Sequence, residues 1–179
     1  IVCNIERIGK YIVLHMESKD SLIIHLGMAG RIYLGDNKNP PKHTHLQMIF
    51  ANEQRFYFSD PRKFGLLDIC QSNSIATHSY LKSMGYDALK VTANEAFELF
   101  GNLKAAIKPA LLDQHKIAGL GNIYACEALW ASGISPYRPA KDIDFAKWQV
   151  LIGHIQSILA QAIKLGGSTL KDYQHTDGE

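Results

Sequence analysis

The sequence has no run of about 18 apolar residues, so it contains no candidate membrane-spanning helix. Nothing in its first residues reads as a signal peptide. Cysteine is scarce: Cys3, Cys70 and Cys126 lie far apart, and none belongs to a C-x-x-C pair, so no zinc-binding spacing is present. An odd number of scattered thiols argues for buried free thiols in a reducing compartment. Charge of one sign is not in excess either. A formal net charge of +2 over 179 residues neither establishes nor excludes a nucleic-acid protein, so the local placement of cations must decide. No internal repeat and no low-complexity segment is present. The chain opens on Ile1 inside an apolar pattern and closes on Asp177-Gly178-Glu179, a loop-like end. The expectation is the central part of a longer protein.

What is there divides in two. Residues 1–75 read as β. YIVLHM at Tyr11–Met16 and the apolar run 22–26 flank a polar turn, a hairpin signature. Runs at 31–34, 46–50, Arg55–Ser59 and 66–70 continue the pattern, with a proline-broken loop at 35–42. Many short strands predict a sandwich. Residues 76–179 read as α. A helix is expected at 94–100 with Thr92 as its N-cap, and another at 103–112, where Pro109 either kinks it or lies in its first turn. A third is expected at 123–132, opened by Asn122 as N-cap, and a fourth at 144–165, capped by Asp142 or Asp144 and ended by Gly166-Gly167. The fold class is therefore α+β, an N-terminal β-sandwich half followed by an α-helical domain, with a cleft expected between them.

Several clusters carry chemistry. LLDQHKIAGLGNIYACEAL at 111–129 reads as a helix end, a glycine turn and a new helix. A helix N-terminus reached through glycines is an anion site, because its first N–H groups point outward unpaired. Lys10 stands at the entrance to a strand, as a solvated end charge, a phosphate ligand or a proton shuttle. In His25-Leu-Gly-Met28-Ala-Gly30, Met28 either tucks into the core or stands exposed on a tight loop, as a wedge for a base stack. His43 and His45 alternate, which places both on one face of an extended segment. They lack a carboxylate or thiol companion, so a surface pair or a phosphate contact fits them better than a metal. Asp60-Pro-Arg62-Lys63-Phe64-Gly65 is the densest cluster: two cations and an aromatic on a glycine-closed turn. Arginine reads base edges bidentately and phenylalanine inserts between bases, unless it folds back into the core. Lys104 and Lys108 fall four apart on one expected helix face. Ser168, Thr169 and Tyr173 follow two glycines, as a plain loop or a mobile lid.

RIGKY, HLGMAG, KHTH, DPRKFG, IKPALLDQ, AGLGNIYACEAL, GISP and GGSTLKDY, in that order, closely resemble the bacterial formamidopyrimidine-DNA glycosylases, sisters of the endonuclease VIII-type enzymes. The resemblance covers nearly the whole chain. It implies a β-sandwich domain and a helical domain with a helix–two-turn–helix motif, acting on duplex DNA as a monomer in the bacterial cytoplasm, at the nucleoid. It implies base-excision repair: removal of oxidised purines (8-oxoguanine and formamidopyrimidines) through a Schiff base, with AP lyase nicking. Carried over by motif, Met28, Arg62 and Phe64 fill the gap left by an extruded nucleotide, and Arg62 faces the orphaned cytosine. His43, Lys63, Lys108 and Asn122 contact DNA. Lys10 is the proton donor or lesion-proximal lysine. Ser168, Thr169 and Tyr173 begin the loop that closes over the flipped base.

The departures also carry expectations. The family's amine nucleophile is an N-terminal proline, which residues 1–179 do not contain. The one zinc ion of the family belongs to a C-terminal finger beyond Glu179, so no cofactor is expected in this chain. Leu103 stands where relatives often carry a basic residue, and Lys63 where a second arginine is commoner. The 179 residues are expected to bind DNA without catalysing, giving no borohydride-trapped adduct with an 8-oxoguanine duplex. One alternative is a non-catalytic helix–two-turn–helix nucleic-acid-binding module; another, a structural helix–two-turn–helix protein that binds RNA or protein, leaves HLGM and DPRKFG unexplained.

Overall fold

The computed structural model describes residues 1–167, and the chain divides into two units, one built on Ile1–His78 and the other on Ser79–Leu165.

In the first unit seven strands form two antiparallel sheets: β1 (Val2–Ile8), β2 (Tyr11–Met16), β3 (Asp20–His25), β4 (Arg31–Gly35), β5 (Thr44–Ile49), β6 (Arg55–Ser59) and β7 (Leu66–Gln71). One sheet has the order β1-β2-β3-β7, the other β4-β6-β5. Period-two alternation explains how they face each other. Ile12, Leu14 and Met16 of β2 and Leu22 and Ile24 of β3 pack with Phe56 and Phe58 of β6 in one apolar core. Val13 and Ile23, paired across β2 and β3 on the opposite face, are also fully buried. That is why the two strands read as continuous apolar runs. β1 had no separate signal in the sequence, because most of its side chains are exposed at a sheet edge.

The second unit holds α1 (Ala93–Phe100), α2 (Ile107–Leu112), α3 (Asn122–Ala131) and α4 (Phe145–Lys164). Two short strands, β8 (Tyr86–Asp87) and β9 (Ile117–Ala118), pair in parallel. Trp148 of α4 is fully buried and stacks on Phe100 with ring centroids 5.3 Å apart. Thr92 caps α1 through a complete capping box: its hydroxyl accepts from Glu95 N at 3.2 Å, and Glu95 Oε2 accepts from Thr92 N at 2.8 Å. Thr92→Ala is expected to cost about 1 kcal/mol, read as a lower denaturant midpoint at unchanged slope.

Four expectations need correction. The second helix begins at Ile107, not 103. Residues just before it pair with a distant segment instead: Lys141 N donates to Leu103 O, Ala140 N to Ala105 O and Ile107 N to Arg138 O. Pro109 therefore lies in the first turn, where a missing N–H costs nothing. Lys104 consequently lies outside the helix that carries Lys108, and the two share no helix face. Gly121, not Asn122, is the N-cap of α3; Asn122 is its first helical residue. The α4 cap needs no correction: of the two expected candidates Asp144 is the cap, accepting from Lys147 N at 2.8 Å, while Asp142 ends a short 3-10 turn. The three thiols are free, but Cys3 and Cys126 are exposed and Cys70 is only half-buried.

Candidate nucleic-acid interface

Met28 and Phe64 are apolar side chains held in water, at 68% and 58% exposure. The backbone explains why neither folds inward. Gly27 adopts φ +63°, and its amide donates to His25 Nδ1 at 3.0 Å. Gly30 N then closes the turn on Leu26 O at 2.8 Å, with Met28 at its tip. On the neighbouring loop the Asp60 carboxylate accepts from Arg62 N at 3.1 Å and Gly65 N at 2.7 Å. Between them the Arg62 guanidinium lies over the Phe64 ring, 4.9 Å from its centroid, a cation–π contact. Burial alone raises the Asp60 pKa. The amides of Gly65, Arg62, Lys63 and Phe64 outweigh it and hold the carboxyl below its ordinary range. The stabilisation from this carboxylate is therefore present above the unfolded pKa and lost only as pH falls through the lower folded value.

Between these loops lies a cleft of about 520 Å³, lined by Met28, Arg31, Tyr33, Lys42, His43 and Arg62, among others. Three permanent cations line it, and no described carboxylate does. Two units of net charge over the whole chain concealed this local excess. Arg31, Tyr33 and Lys42 were missed in the sequence: no quoted motif covers Arg31 and Tyr33, which the pairing of β4 with β6 places here, and Lys42, the first residue of KHTH, is tied here by Ser59 Oγ, which donates to its carbonyl at 2.7 Å.

His43 and His45 do not share an extended face. His43 has φ +62°, and the pairing of β5 with β6 shifts register between Thr44 and Leu46. His45 Nε2 instead bonds the Asp60 carbonyl at 2.9 Å. Lys63 also adopts a left-handed φ, +57°. At the start of β2, Lys10 is exposed overall, yet partial burial of its ammonium lowers its pKa. The His25 ring packs 4.8 Å from that of Tyr11. Burial, and then the charge of Lys10, lower the His25 pKa. The native ring therefore stays neutral where an unfolded one takes a proton, and this part of stability is lost as pH falls below about 6.5 toward the folded value. Protonating Nδ1 also removes the acceptor that holds Gly27. A ring titration by NMR is expected to give a midpoint below that of free histidine, rising in Lys10→Met.

In the second unit the two turns between α2 and α3 are fastened by Gln114. Its Nε2 donates to Leu112 O and Leu120 O, both at 3.0 Å, and its Oε1 accepts from Gly119 N at 3.0 Å. The chain enters α3 through Gly119, at φ +97°, and Gly121. No side chain caps this end, and Asn122 is exposed there. The outward N–H groups of the first turn and the helix dipole make it a site for an anion. Lys108 is half-buried on α2, its amide bonded to Pro136 O at 3.3 Å. Ser168, Thr169 and Tyr173 lie outside the described residues. Among the described residues no group of three or more His, Cys, Asp or Glu is placed to hold a metal ion, so no zinc site is built from them. No helix among them is long and apolar enough to cross a membrane.

Two family models match: the formamidopyrimidine-DNA glycosylase N-terminal domain over residues 1–67 and the formamidopyrimidine-DNA glycosylase H2TH domain over residues 84–174. The chain belongs to the formamidopyrimidine-DNA glycosylase family. The formamidopyrimidine-DNA glycosylase of Roseobacter denitrificans is 38% identical over 98% of this chain and 66% of its own length. That of Dinoroseobacter shibae is 40% identical over 99% of this chain and 67% of its own. The chain thus spans about two thirds of the length of these bacterial relatives. Among solved structures, a complex between the Lactococcus lactis Fpg and an abasic site containing DNA superimposes with a TM-score of 0.89 at 32% identity, covering 99% of this chain and 67% of that one. The family's β domain and H2TH domain thus coincide with the strand-built and helix-built parts of the fold.

Proposed function

We propose that the whole protein is a base-excision repair glycosylase with AP lyase activity on oxidised purines, and that residues 1–179 supply its grip on duplex DNA and its wedges. The observation that carries this reading is the cleft lined by Arg31, Lys42 and Arg62, with no carboxylate among its described lining residues, and exposed Met28 and Phe64 on the loops beside it. Phosphates select such a cleft electrostatically and release counterions on binding. A base inside a duplex is out of reach, so its nucleotide is extruded. Unstacking costs on the order of a few kcal/mol, which wedges offset by filling the hole. Met28 and Phe64 have the exposure for this role, and Arg62, stacked on Phe64, has the donor fork that a base edge accepts.

His43, Lys63, Lys108 and the α3 N-terminus with Asn122 are proposed as phosphate contacts, and Lys10 as the lesion-proximal amine. Partial desolvation makes Lys10 a better proton carrier near neutral pH than an ordinary lysine. Ser168, Thr169 and Tyr173 are proposed as the start of the loop over the flipped base. In the whole protein an amine attacks the sugar C1′, the C1′–N bond to the base breaks, and a Schiff base remains. The domain division at residues 75 and 76, action as a monomer, and a place in the bacterial cytoplasm at the nucleoid belong to the same reading.

The test is the affinity of the chain for a duplex carrying an abasic-site analogue, across a salt series. Binding is expected to be tighter than to undamaged duplex and to weaken with salt. Lys108→Ala is expected to reduce the slope of log K against log salt by about 1. Equal affinity for the two duplexes overturns the reading.

A further inference from the structure

We infer that Asp60, with His45 behind it, is the positioning residue that holds the His43 loop, the 62–65 loop and the Met28 turn as one preformed body; this rests on the duplex-DNA reading above. Every polar group of Asp60 is committed to one of these segments. Its amide donates to His43 O at 3.0 Å, and its carbonyl accepts from His45 Nε2 at 2.9 Å. Its carboxylate takes the amides of Arg62 and Gly65. The residue is 1% exposed, so these bonds are shielded from water, where each is worth more and its loss costs more.

The Met28 turn joins the same body by contact of backbone on backbone. A Cβ on Gly27 would lie 2.6 Å from Phe64 C and 2.7 Å from Gly65 N. A Cβ on Gly65 would lie 2.9 Å from His25 O and 3.0 Å from Asp60 Oδ2. His43 and Lys63, one on each loop tied to Asp60, both hold left-handed φ values that side chains disfavour. Such conformations persist where surrounding bonds over-determine them. The consequence is functional. Wedges already in place need no ordering when DNA arrives, so insertion is not taxed by loop entropy, and Arg62 meets the opposite base from a fixed origin.

Two readouts test this. The first is trypsin cleavage after Arg62 or Lys63, located by fragment mass without DNA. The order expected is Asp60→Ala fastest, then Asp60→Asn, which keeps one acceptor oxygen, then wild type. The second is the affinity ratio for an abasic analogue opposite cytosine against the same analogue opposite adenine. Asp60→Ala is expected to lower that ratio roughly tenfold, with binding to undamaged duplex weakened much less, because Lys108 and the α3 N-terminus still meet phosphates. His45→Gln, which retains an N–H donor toward Asp60 O, should keep the ratio, and His45→Phe should lose it. A change in fold alone would not spare undamaged-duplex binding or follow the donor. If wild type prefers the lesion opposite cytosine and Asp60→Ala retains both that ratio and trypsin resistance, the positioning role is overturned. If the trypsin order holds but wild type shows no lesion preference, the positioning stands and the DNA reading falls.

Discussion

Gly27→Ala is expected to lower stability by about 2–4 kcal/mol and to abolish the preference for damaged duplex. Two independent costs meet at this position. The residue sits at φ +63°, which a Cβ penalises in any surroundings. The new atom would also meet Phe64 C, Phe64 O and Gly65 N at 2.6–2.7 Å. These are backbone atoms tied to Asp60, so relief requires the 62–65 loop to move. Chemical denaturation of the two variants Gly27→Ala and Met28→Ala checks the account. Met28 is exposed, so its truncation should change stability by less than about 0.5 kcal/mol while still weakening lesion binding.

Gly85→Ala should have an effect of similar size, about 2–4 kcal/mol, in the other unit. The Gly85 amide donates to Gln114 O at 2.9 Å, and Tyr86 N donates to Lys116 O at 3.0 Å. A Cβ on Gly85 would lie 2.2 Å from that same Lys116 oxygen and 2.6 Å from His115 O. The β8–β9 pairing would have to part, and it braces the turns that deliver the chain to Gly121 and Asn122. Thermal unfolding should show the loss. Salt-dependent binding to undamaged duplex should weaken with it, because the α3 N-terminus is then no longer fixed. A Gly85→Ala protein with wild-type stability and binding would mean that the two-turn segment holds its shape without β8.

How far the sequence disclosed all this depends on the range of the forces involved. β2, β3 and β6 were legible because alternation or continuous apolarity reports burial directly. Thr92 and Asp144 were legible because a cap is a contact within one turn of chain. The loop 62–65 was legible as a turn from Asp-Pro and Gly, but its carboxylate's grip on Arg62 and Gly65 was not singled out. An Asp ahead of Pro with a Gly five residues on was the available signal. Helix α2 was placed too early because helical periodicity at 103–106 competes with pairing to residues 138–141, which no local pattern reveals. The His43 and His45 pair failed for a similar reason: one left-handed residue and a register shift turned the two rings to different tasks. Arg31 came from strand pairing alone, and Lys42, although it opens KHTH, is brought to the cleft by its carbonyl's bond to Ser59 Oγ. The family motifs located the wedges, whereas the cationic lining beside them is a product of tertiary structure.

The central claim is that Met28, Arg62 and Phe64 enter the base stack where a nucleotide has been withdrawn. The most direct measurement places 2-aminopurine in a duplex beside an abasic-site analogue and follows its fluorescence as the chain is added. Wild-type protein is expected to raise the emission by unstacking the probe, and Met28→Ala and Phe64→Ala to give a smaller rise at saturating protein. Full binding with unchanged emission would contradict the account, because the loops would then be gripping the backbone without entering the stack.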